Sequence, residues 1–174
     1  MPDKRKRADL LLVERGEFPS RARARAAIEA GLVRVGGETL RKASALIELD
    51  AAIEAGAPHP WVSRGGVKLA AALDAFALDP AGLACLDVGA STGGFTDVLL
   101  ARGARCVYAV DVGREQLDPR LRADPRVVVH EGLDARKLAP RLFAAPPEAI
   151  VCDVSFISLR LVLPAILPLA AKGA

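Results

Sequence analysis

The pattern of apolar and polar positions changes near residue 60 and divides the chain into two parts. In the first part, two short helices are predicted at residues 8–15 and 21–30, each followed by a glycine that ends it. Strand signals follow at residues 32–35 and 38–49, with a Gly-Gly turn between them. The first part is therefore predicted to be a small α+β domain.

From residue 83 onward, short apolar runs alternate with helical stretches. Buried strands are predicted at residues 83–90, 106–112, 127–130 and 149–154, and helices at 95–102 and 159–171. This alternation predicts an α/β fold, a Rossmann-like domain whose mostly parallel sheet has about four strands. In such a sheet, ligands bind at the carboxyl ends of the strands, near the point where the strand order reverses.

A proline-rich segment, Ala57-Pro58-His59-Pro60, separates the two patterns. Each proline pushes the residue before it away from helical geometry, which is typical of a linker. We therefore predict two domains, residues 1–60 and residues 61–174.

Composition argues against several classes of protein. Hydrophobic residues make up 52% of the 174 residues and charged residues 26%, which is enough to build a core. The best candidate for a membrane span, residues 159–171, holds an arginine and two prolines and falls short of about 20 residues. The three cysteines show no metal-type spacing and indicate buried thiols. We expect a cytoplasmic protein rather than a membrane or secreted one.

Positive charge is concentrated at the N-terminal end. Residues 1–42 hold 11 Lys and Arg against 6 Asp and Glu, whereas residues 61–174 hold 13 against 12. Three of these cations, Arg21, Arg23 and Arg25, fall within one predicted helix. A solvated helix face is the alternative interpretation, but the excess charge favours a domain that binds a polyanion through its phosphates.

The first strand of the second domain runs into a glycine-rich turn, DVGASTGGFT at residues 87–96. Asp111 ends the next strand, 22 residues after Gly89, where a carboxylate can accept hydrogen bonds from ribose hydroxyls. A dinucleotide and S-adenosylmethionine both fit this arrangement. Ser91 replaces the middle glycine of the dinucleotide fingerprint, and S-adenosylmethionine has no pyrophosphate to need it, so the pattern favours S-adenosylmethionine. The alternative is a turn that merely joins strand to helix.

The N-terminal motifs RADLLLVERG and PSRARARAAIEAGLVRVGG resemble the S-four-type (S4) RNA-binding module over roughly residues 7–55. In that family, a pair of helices and the adjoining hairpin present basic residues to structured RNA. The resemblance implies RNA as the partner, bound mostly through its backbone phosphates. The predicted RNA-binding residues are Arg7, Arg21, Arg23, Arg25, Arg34, Lys42 and Arg64.

The second domain resembles the FtsJ-type 2′-O-ribose methyltransferases, and the chain as a whole resembles the TlyA family of rRNA methyltransferases, also named hemolysins. The matching segments are WVSRGGVKL at 61–69, DVGASTGGFT at 87–96, AVDVG at 109–113 and CDVSFISL at 152–159. The resemblance implies S-adenosylmethionine-dependent methylation of the 2′-hydroxyl of cytidines in ribosomal RNA, with ribosomal subunits as partners.

Lys68 and Asp153 match the first Lys and the Asp of the family's Lys-Asp-Lys-Glu tetrad. The resemblance assigns Lys68 to positioning the hydroxyl and stabilising its charge, and Asp153 to orienting Lys68. Asp134 lies where a methyltransferase contacts the adenine amino group, although a helix N-cap is an equally good interpretation. The predicted cofactor-binding residues are Asp87, Gly89, Ser91, Thr92, Gly93, Gly94, Asp111 and Asp134.

The second Lys and the Glu of the tetrad have no match in these 174 residues, and four strands are predicted where methyltransferase sheets of this class have seven. We therefore expect a C-terminally incomplete chain that binds RNA and cofactor with little or no turnover. Three rival interpretations stay open: a non-catalytic RNA-binding protein with a methyltransferase remnant, a membrane-lytic protein, and a dinucleotide-dependent oxidoreductase.

Overall fold

The structure is a computed structural model that describes residues 5–56 and 59–173. It divides into two units, Met1–Pro60 and Trp61–Ala174. Ala57 and Pro58 of the predicted linker, and Lys4 of the basic N-terminal run, lie outside the described residues.

The first unit is a small α+β domain. Its elements are β1 (Arg5–Arg7), α1 (Ala8–Glu14), α2 (Arg21–Glu29), β2 (Val33–Val35), β3 (Glu38–Thr39), β4 (Leu46–Glu48) and β5 (Ile53–Ala55). Strand β1 pairs antiparallel with β4, and β2 lies between β3 and β5 in an antiparallel sheet. Apolar side chains of the two helices pack on the strands, and this burial holds so small a domain together. The core includes Leu11, Leu12, Phe18, Ala24, Ile28, Val33 and Ile47.

Both helices of the first unit form close to where the glycine signals predict. The Ser20 hydroxyl accepts a hydrogen bond from the Arg23 amide at the start of α2, as an N-cap does. Strands β1 and β5 are additions to the prediction. β1 reads Arg-Lys-Arg and has no apolar position, whereas β5 reads Ile-Glu-Ala and, with three residues, is too short for its alternation to mark a strand in sequence.

The second unit is a parallel sheet with helices on both faces. Its elements are α3 (Arg64–Phe76), β6 (Ala84–Val88), α4 (Gly94–Ala101), β7 (Cys106–Asp111), α5 (Pro119–Arg122), β8 (Val127–Glu131), β9 (Ala149–Cys152) and α6 (Leu159–Ile166). All neighbouring strands are parallel, and their order is β8-β7-β6-β9. Helices α3, α4 and α5 cover one face of the sheet, and α6 with the segment around Phe143 covers the other.

This strand order places the functional crevice. The chain moves from β6 through β7 to β8 on one side and then returns to add β9 on the other side of β6. The helices that follow β6 and β9 lie on opposite faces, so the two loops touch where they leave the strands and separate farther along, which opens a crevice at the carboxyl edge of the sheet. The α/β fold predicted from the sequence is confirmed, with four parallel strands.

Two details of the prediction are wrong. Helix α6 ends at Ile166 rather than at residue 171, because Pro168 interrupts helical hydrogen bonding and the chain tightens into a 3₁₀ turn over Leu167–Leu169. Of the three free cysteines, Cys85 is buried, whereas Cys106 and Cys152 are only partly buried. In the described ranges, none of the helices has both the length and the apolar content to cross a membrane.

Candidate active site

A cleft of about 560 Å³ opens at the carboxyl edge of the parallel sheet. Its walls are the loops that follow β6, β7, β8 and β9, which contribute residues around Gly89, Asp111, Asp134 and Asp153. The volume is within the range that small-molecule and cofactor sites occupy. The cleft therefore lies where the strand order predicts a ligand.

Gly89 sets how closely the walls of the cleft approach one another. Its φ is 85°, and a Cβ atom at this position would lie 2.5 Å from the backbone carbonyl oxygen of Asp153. The loop after β6 thus touches the loop after β9 backbone to backbone, which no residue with a side chain allows. The glycine prediction at this position has a steric reason in the structure.

The turn after Gly89 is fixed by the strand next to it. Ser91 has a left-handed φ of 49°, and its backbone N–H donates to Asp111 Oδ2 at 2.8 Å. The other carboxylate oxygen, Asp111 Oδ1, accepts the Gly113 N–H at 2.7 Å. Each oxygen keeps a second lone pair, so Asp111 joins the two loops and still presents acceptors to the cleft.

Of the two roles that the sequence left open for Asp134, the structure shows the N-cap, and it also places the residue in the lining of the cleft. Its carboxylate caps the 3₁₀ turn at Ala135–Lys137 by accepting the Arg136 N–H at 2.9 Å, and it lines the cleft. The Arg136 guanidinium also donates to it, and this pairing lowers the pKa of Asp134 to about 2. A cleft-facing carboxylate therefore stays ionised at neutral pH.

Lys68 and Asp153 form an ion pair at the cleft wall. Lys68 lies in the second turn of α3, and its Nζ donates to Asp153 Oδ1 at 2.6 Å. The side chains are 63% and 42% exposed, so both groups remain accessible to a substrate. The Asp153 N–H bonds to the Val88 carbonyl and so extends the β6–β9 pairing, while the Lys68 ammonium lies 5.9 Å from the centre of the Phe95 ring. Sheet and helix together hold this cation beside the cleft.

Asp87 is fully buried in β6, beneath the glycine-rich turn. Its Oδ2 accepts the Thr96 hydroxyl at 2.7 Å, whereas among the described residues no donor reaches Oδ1. Burial raises the pKa of Asp87 to about 7, and the nearby carboxylates Asp111 and Asp153 act in the same direction. A buried carboxyl group with an open acceptor therefore lies under the site.

The raised pKa of Asp87 leads to a prediction about how the stability of the fold depends on pH. The folded-state pKa lies above the unfolded value of about 3.9, so the native state binds more protons between about pH 4 and pH 7, and stability falls as pH rises through that window. Asp87→Asn keeps an acceptor for Thr96 and removes the charge. At pH 8, we expect the free energy of unfolding of the variant to exceed that of wild type by roughly 1–3 kcal/mol, so that the variant unfolds at a higher temperature. This difference in stability should shrink as the pH is lowered toward 5. Thermal unfolding followed by circular dichroism measures this; a gap independent of pH would contradict it.

The structure brings only some of the predicted cofactor-binding residues together. Four of the eight line the cleft: Gly89, Ser91, Asp111 and Asp134. Asp153, which was predicted as a catalytic residue, also lines it and is bound to Lys68. Asp87 lies beneath it. The remaining three do not line the cleft, because they form the turn into α4 and its first residue: Thr92, Gly93 and Gly94.

The predicted RNA-binding residues are spread over the surface of the first unit, except Arg64, which is exposed at the start of α3. Arg7 and Arg21 both donate to the buried carboxylate of Asp9, and these bonds hold the pKa of Asp9 well below its usual range. Arg34 donates to the Gly37 carbonyl in its own hairpin. Arg23 is partly buried in α2, whereas Arg25 and Lys42 are exposed.

Several cleft residues were missed at the sequence level, among them Gln116, Arg136 and Phe156. Gln116 and Arg136 lie on loops, where no periodicity marks a position as facing a ligand. Phe156 lines the cleft with a φ of 64° and a fully exposed ring. It falls inside the CDVSFISL segment that carried the family resemblance, which was the one signal for it.

The fold and the cleft define a class of protein. The sequence pattern of the FtsJ-like methyltransferases matches residues 61–171, and that of the S4 domain matches residues 6–53. The chain belongs to the FtsJ-like methyltransferase family and carries an S4 domain at its N-terminal side. Both resemblances predicted from the sequence are confirmed.

Individual relatives agree with this assignment. The chain is 48% identical over 173 residues to the 16S/23S rRNA (cytidine-2′-O)-methyltransferase TlyA of Mycobacterium tuberculosis, an alignment that covers 98% of this chain and 65% of that protein. It is 42% identical over 161 residues to Hemolysin A of Brachyspira hyodysenteriae, covering 92% of this chain and 67% of the relative. A solved structure of a candidate hemolysin from Streptococcus thermophilus has a TM-score of 0.68 and 41% identity, and covers 97% of this chain and 62% of that one. The chain thus spans about two thirds of the length of these relatives.

Proposed function

We propose that this chain binds S-adenosylmethionine in the cleft and takes part in methylating the 2′-hydroxyl of cytidine in ribosomal RNA. The observation that supports this most directly is the Lys68–Asp153 ion pair, which is accessible and lies against the cleft wall. The relative in Mycobacterium tuberculosis is named for this reaction. A cytoplasmic location belongs to the same proposal, since ribosomal RNA is found there.

The cleft residues fit S-adenosylmethionine. Gly89 lets the loops after β6 and β9 approach closely, and Asp111 and Asp134 present carboxylate acceptors toward the cleft. Asp87 Oδ1 provides a buried acceptor beneath the turn. We assign the adenosine hydroxyls to Asp111 and the adenine amino group to Asp134, because each of these ligand groups is a hydrogen-bond donor. When bound, the cofactor supplies a methyl group already activated on a sulfonium.

Lys68 is proposed to act on the substrate hydroxyl. A ribose hydroxyl is a weak nucleophile, and an ammonium beside it stabilises the negative charge that develops on its oxygen. Asp153 holds that ammonium at 2.6 Å and so limits the positions it can take. The pair contributes orientation and electrostatic stabilisation, which are the main requirements when the methyl donor is already reactive.

The S4 domain is proposed to supply most of the affinity for RNA. Arg25 and Lys42 are exposed, while Arg7 and Arg21 keep about half of their surface open although they bond to Asp9. Cations arranged in this way contact phosphates, and such contacts fix orientation without reading sequence. Sequence selectivity is then left to the methyltransferase domain and to the shape of the RNA.

This assignment predicts how binding depends on salt. The logarithm of the binding constant for a ribosomal RNA fragment decreases with the logarithm of the salt concentration, and the slope is steeper when more phosphates are contacted. In Arg25→Ala, we expect this slope to become shallower by about 0.7–0.9, the value for one lost phosphate contact. Lys42→Ala should do the same. Filter binding at several salt concentrations measures the slope. The control is Arg102→Ala, which removes the same charge from an ion pair with Asp74 in the other domain; an equal effect of that change would contradict the assignment.

Product analysis tests the reaction itself. Because the chain spans 65% of the Mycobacterium tuberculosis relative, methyl transfer is measured with this chain and with a fusion that continues into the relative's C-terminal third. Ribosomal subunits are incubated with methyl-labelled S-adenosylmethionine, and the RNA is digested to nucleosides. We expect label in 2′-O-methylcytidine from the fusion and little turnover from the chain alone. Label only on a base, or none with the fusion, would overturn the proposal.

A further inference from the structure

One wall of the cleft is a loop, residues 112–117, whose C-terminal half is bound by the carboxylate of Glu131. Glu131 at the end of β8 accepts three successive backbone N–H groups, those of Glu115, Gln116 and Leu117, at 2.8, 3.1 and 3.3 Å. The Arg122 guanidinium pairs with the same carboxylate at 2.7 Å and, with these N–H groups, lowers the pKa of Glu131 to about 2. A run of adjacent N–H groups around an anion fixes the loop backbone.

Gln116 is the residue of this loop that brings a polar side chain to the lining of the cleft. Its Oε1 accepts the Ser91 hydroxyl at 3.4 Å, so it bridges the loops that follow β6 and β7. A Cβ built on Gly113 would lie 2.5 Å from Gln116 Nε2 and 3.1 Å from Asp111 Oδ1. The amide nitrogen and the carboxylate oxygen therefore both lie beside Gly113, at a distance that a side chain at position 113 would not allow.

The two groups differ in their hydrogen-bonding chemistry. Asp111 is an acceptor only, and the Gln116 amide nitrogen is a donor with two N–H groups. Within the described ranges, no hydrogen bond from that nitrogen to a protein acceptor is found. A ligand that matches the pair must donate and accept at neighbouring atoms, and a vicinal diol does so because every hydroxyl both donates and accepts.

We infer that Gln116 is a specificity-determining residue that reads the ribose diol of an adenosyl cofactor together with Asp111. The inference rests on the proposed cofactor and adds to it a donor whose role is to distinguish a ribose from a deoxyribose. Glu131 is a positioning residue: it is not among the residues that line the cleft, and it binds the backbone from which Gln116 extends.

The test compares three ligands in isothermal titration with the intact chain: S-adenosylhomocysteine and its 2′-deoxy and 2′,3′-dideoxy analogues. Wild type is expected to bind the ribose form about 100-fold more tightly than the dideoxy form, as two or three hydrogen bonds would give. Gln116→Ala should weaken the ribose form about tenfold and leave the dideoxy form unchanged, so that the preference shrinks about tenfold. Glu131→Gln should reduce the preference in the same direction.

The preference is a ratio of two affinities for one protein, so a general loss of folded protein does not mimic the result. The matched control is Glu115→Gln, whose exposed side chain belongs to the same loop; its preference should equal that of wild type. An unchanged preference in Gln116→Ala, or a wild type that does not distinguish the ligands, overturns the inference and leaves the proposed cofactor standing. A wild type that binds none of the three overturns both.

Discussion

Lys68→Met is expected to lower the rate of methyl transfer to ribosomal RNA by about 10²–10³-fold in the active fusion, with S-adenosylmethionine affinity changed less than about threefold. The methionine side chain has a similar length and packs in a similar way, so the change removes mainly the charge. A group that stabilises developing charge contributes a factor of this size when it is deleted. Lys68 does not itself line the cleft, so binding of the cofactor should be nearly unaffected.

The effect of Lys68→Met is measured as single-turnover transfer of a labelled methyl group to ribosomal subunits. Lys172→Met is the control, because it removes one exposed lysine charge from the same domain away from the cleft lining. Lys172→Met is expected to transfer the methyl group at the wild-type rate. If Lys68→Met transfers the methyl group at a rate within a factor of three of wild type, Lys68 has no catalytic role in the reaction.

Gly89→Ala is expected to destabilise the second domain by about 3 kcal/mol and to weaken cofactor binding at least tenfold. The left-handed φ of 85° alone costs about 1–2 kcal/mol for a residue with a Cβ. In addition, the new Cβ would lie 2.5 Å from the Asp153 carbonyl oxygen, so the loops after β6 and β9 must separate. That separation moves both the glycine-rich turn and the aspartate that holds Lys68.

Gly82→Ala is the control that separates these two causes. Gly82 has a φ of 75°, and nothing lies within 4 Å of the position its Cβ would take. It should therefore show only the conformational part of the loss, about 1–2 kcal/mol, with cofactor binding intact. Thermal unfolding and titration of both variants test the account, and equal losses for both would mean that the close approach of the two loops has no energetic role.

The sequence predicts the second domain better than the first for a physical reason. Each of the four strands of the parallel sheet is a run of apolar residues, since the middle of the sheet is covered on both faces. In the first unit, β1 and β5 are short, and their burial comes from a partner strand distant in sequence. Pairing between distant segments leaves no local signal, so both were missed.

Only part of the candidate site could likewise be predicted from the sequence. Gly89, Asp111 and Asp153 were predictable because they lie at or just after the ends of strands, and strand ends meet at one edge of a parallel sheet. The role of Lys68 as a catalytic residue came from the family resemblance and stays a prediction, although its pairing with Asp153 gives it a defined place. Gln116 was not predictable, because its position depends on hydrogen bonds from the loop after β7 to the carboxylate of Glu131, which lies at the end of β8.

We propose that the cleft beside Gly89 and Asp111 binds S-adenosylmethionine. Isothermal titration of the purified chain with S-adenosylmethionine is the decisive experiment, with Gly89→Ala as the variant in which the cleft is altered. We expect saturable binding of one molecule per chain, displaced by S-adenosylhomocysteine and weakened at least tenfold in the variant. Absence of saturable binding in a folded wild-type chain, or equal binding by both proteins, would contradict it.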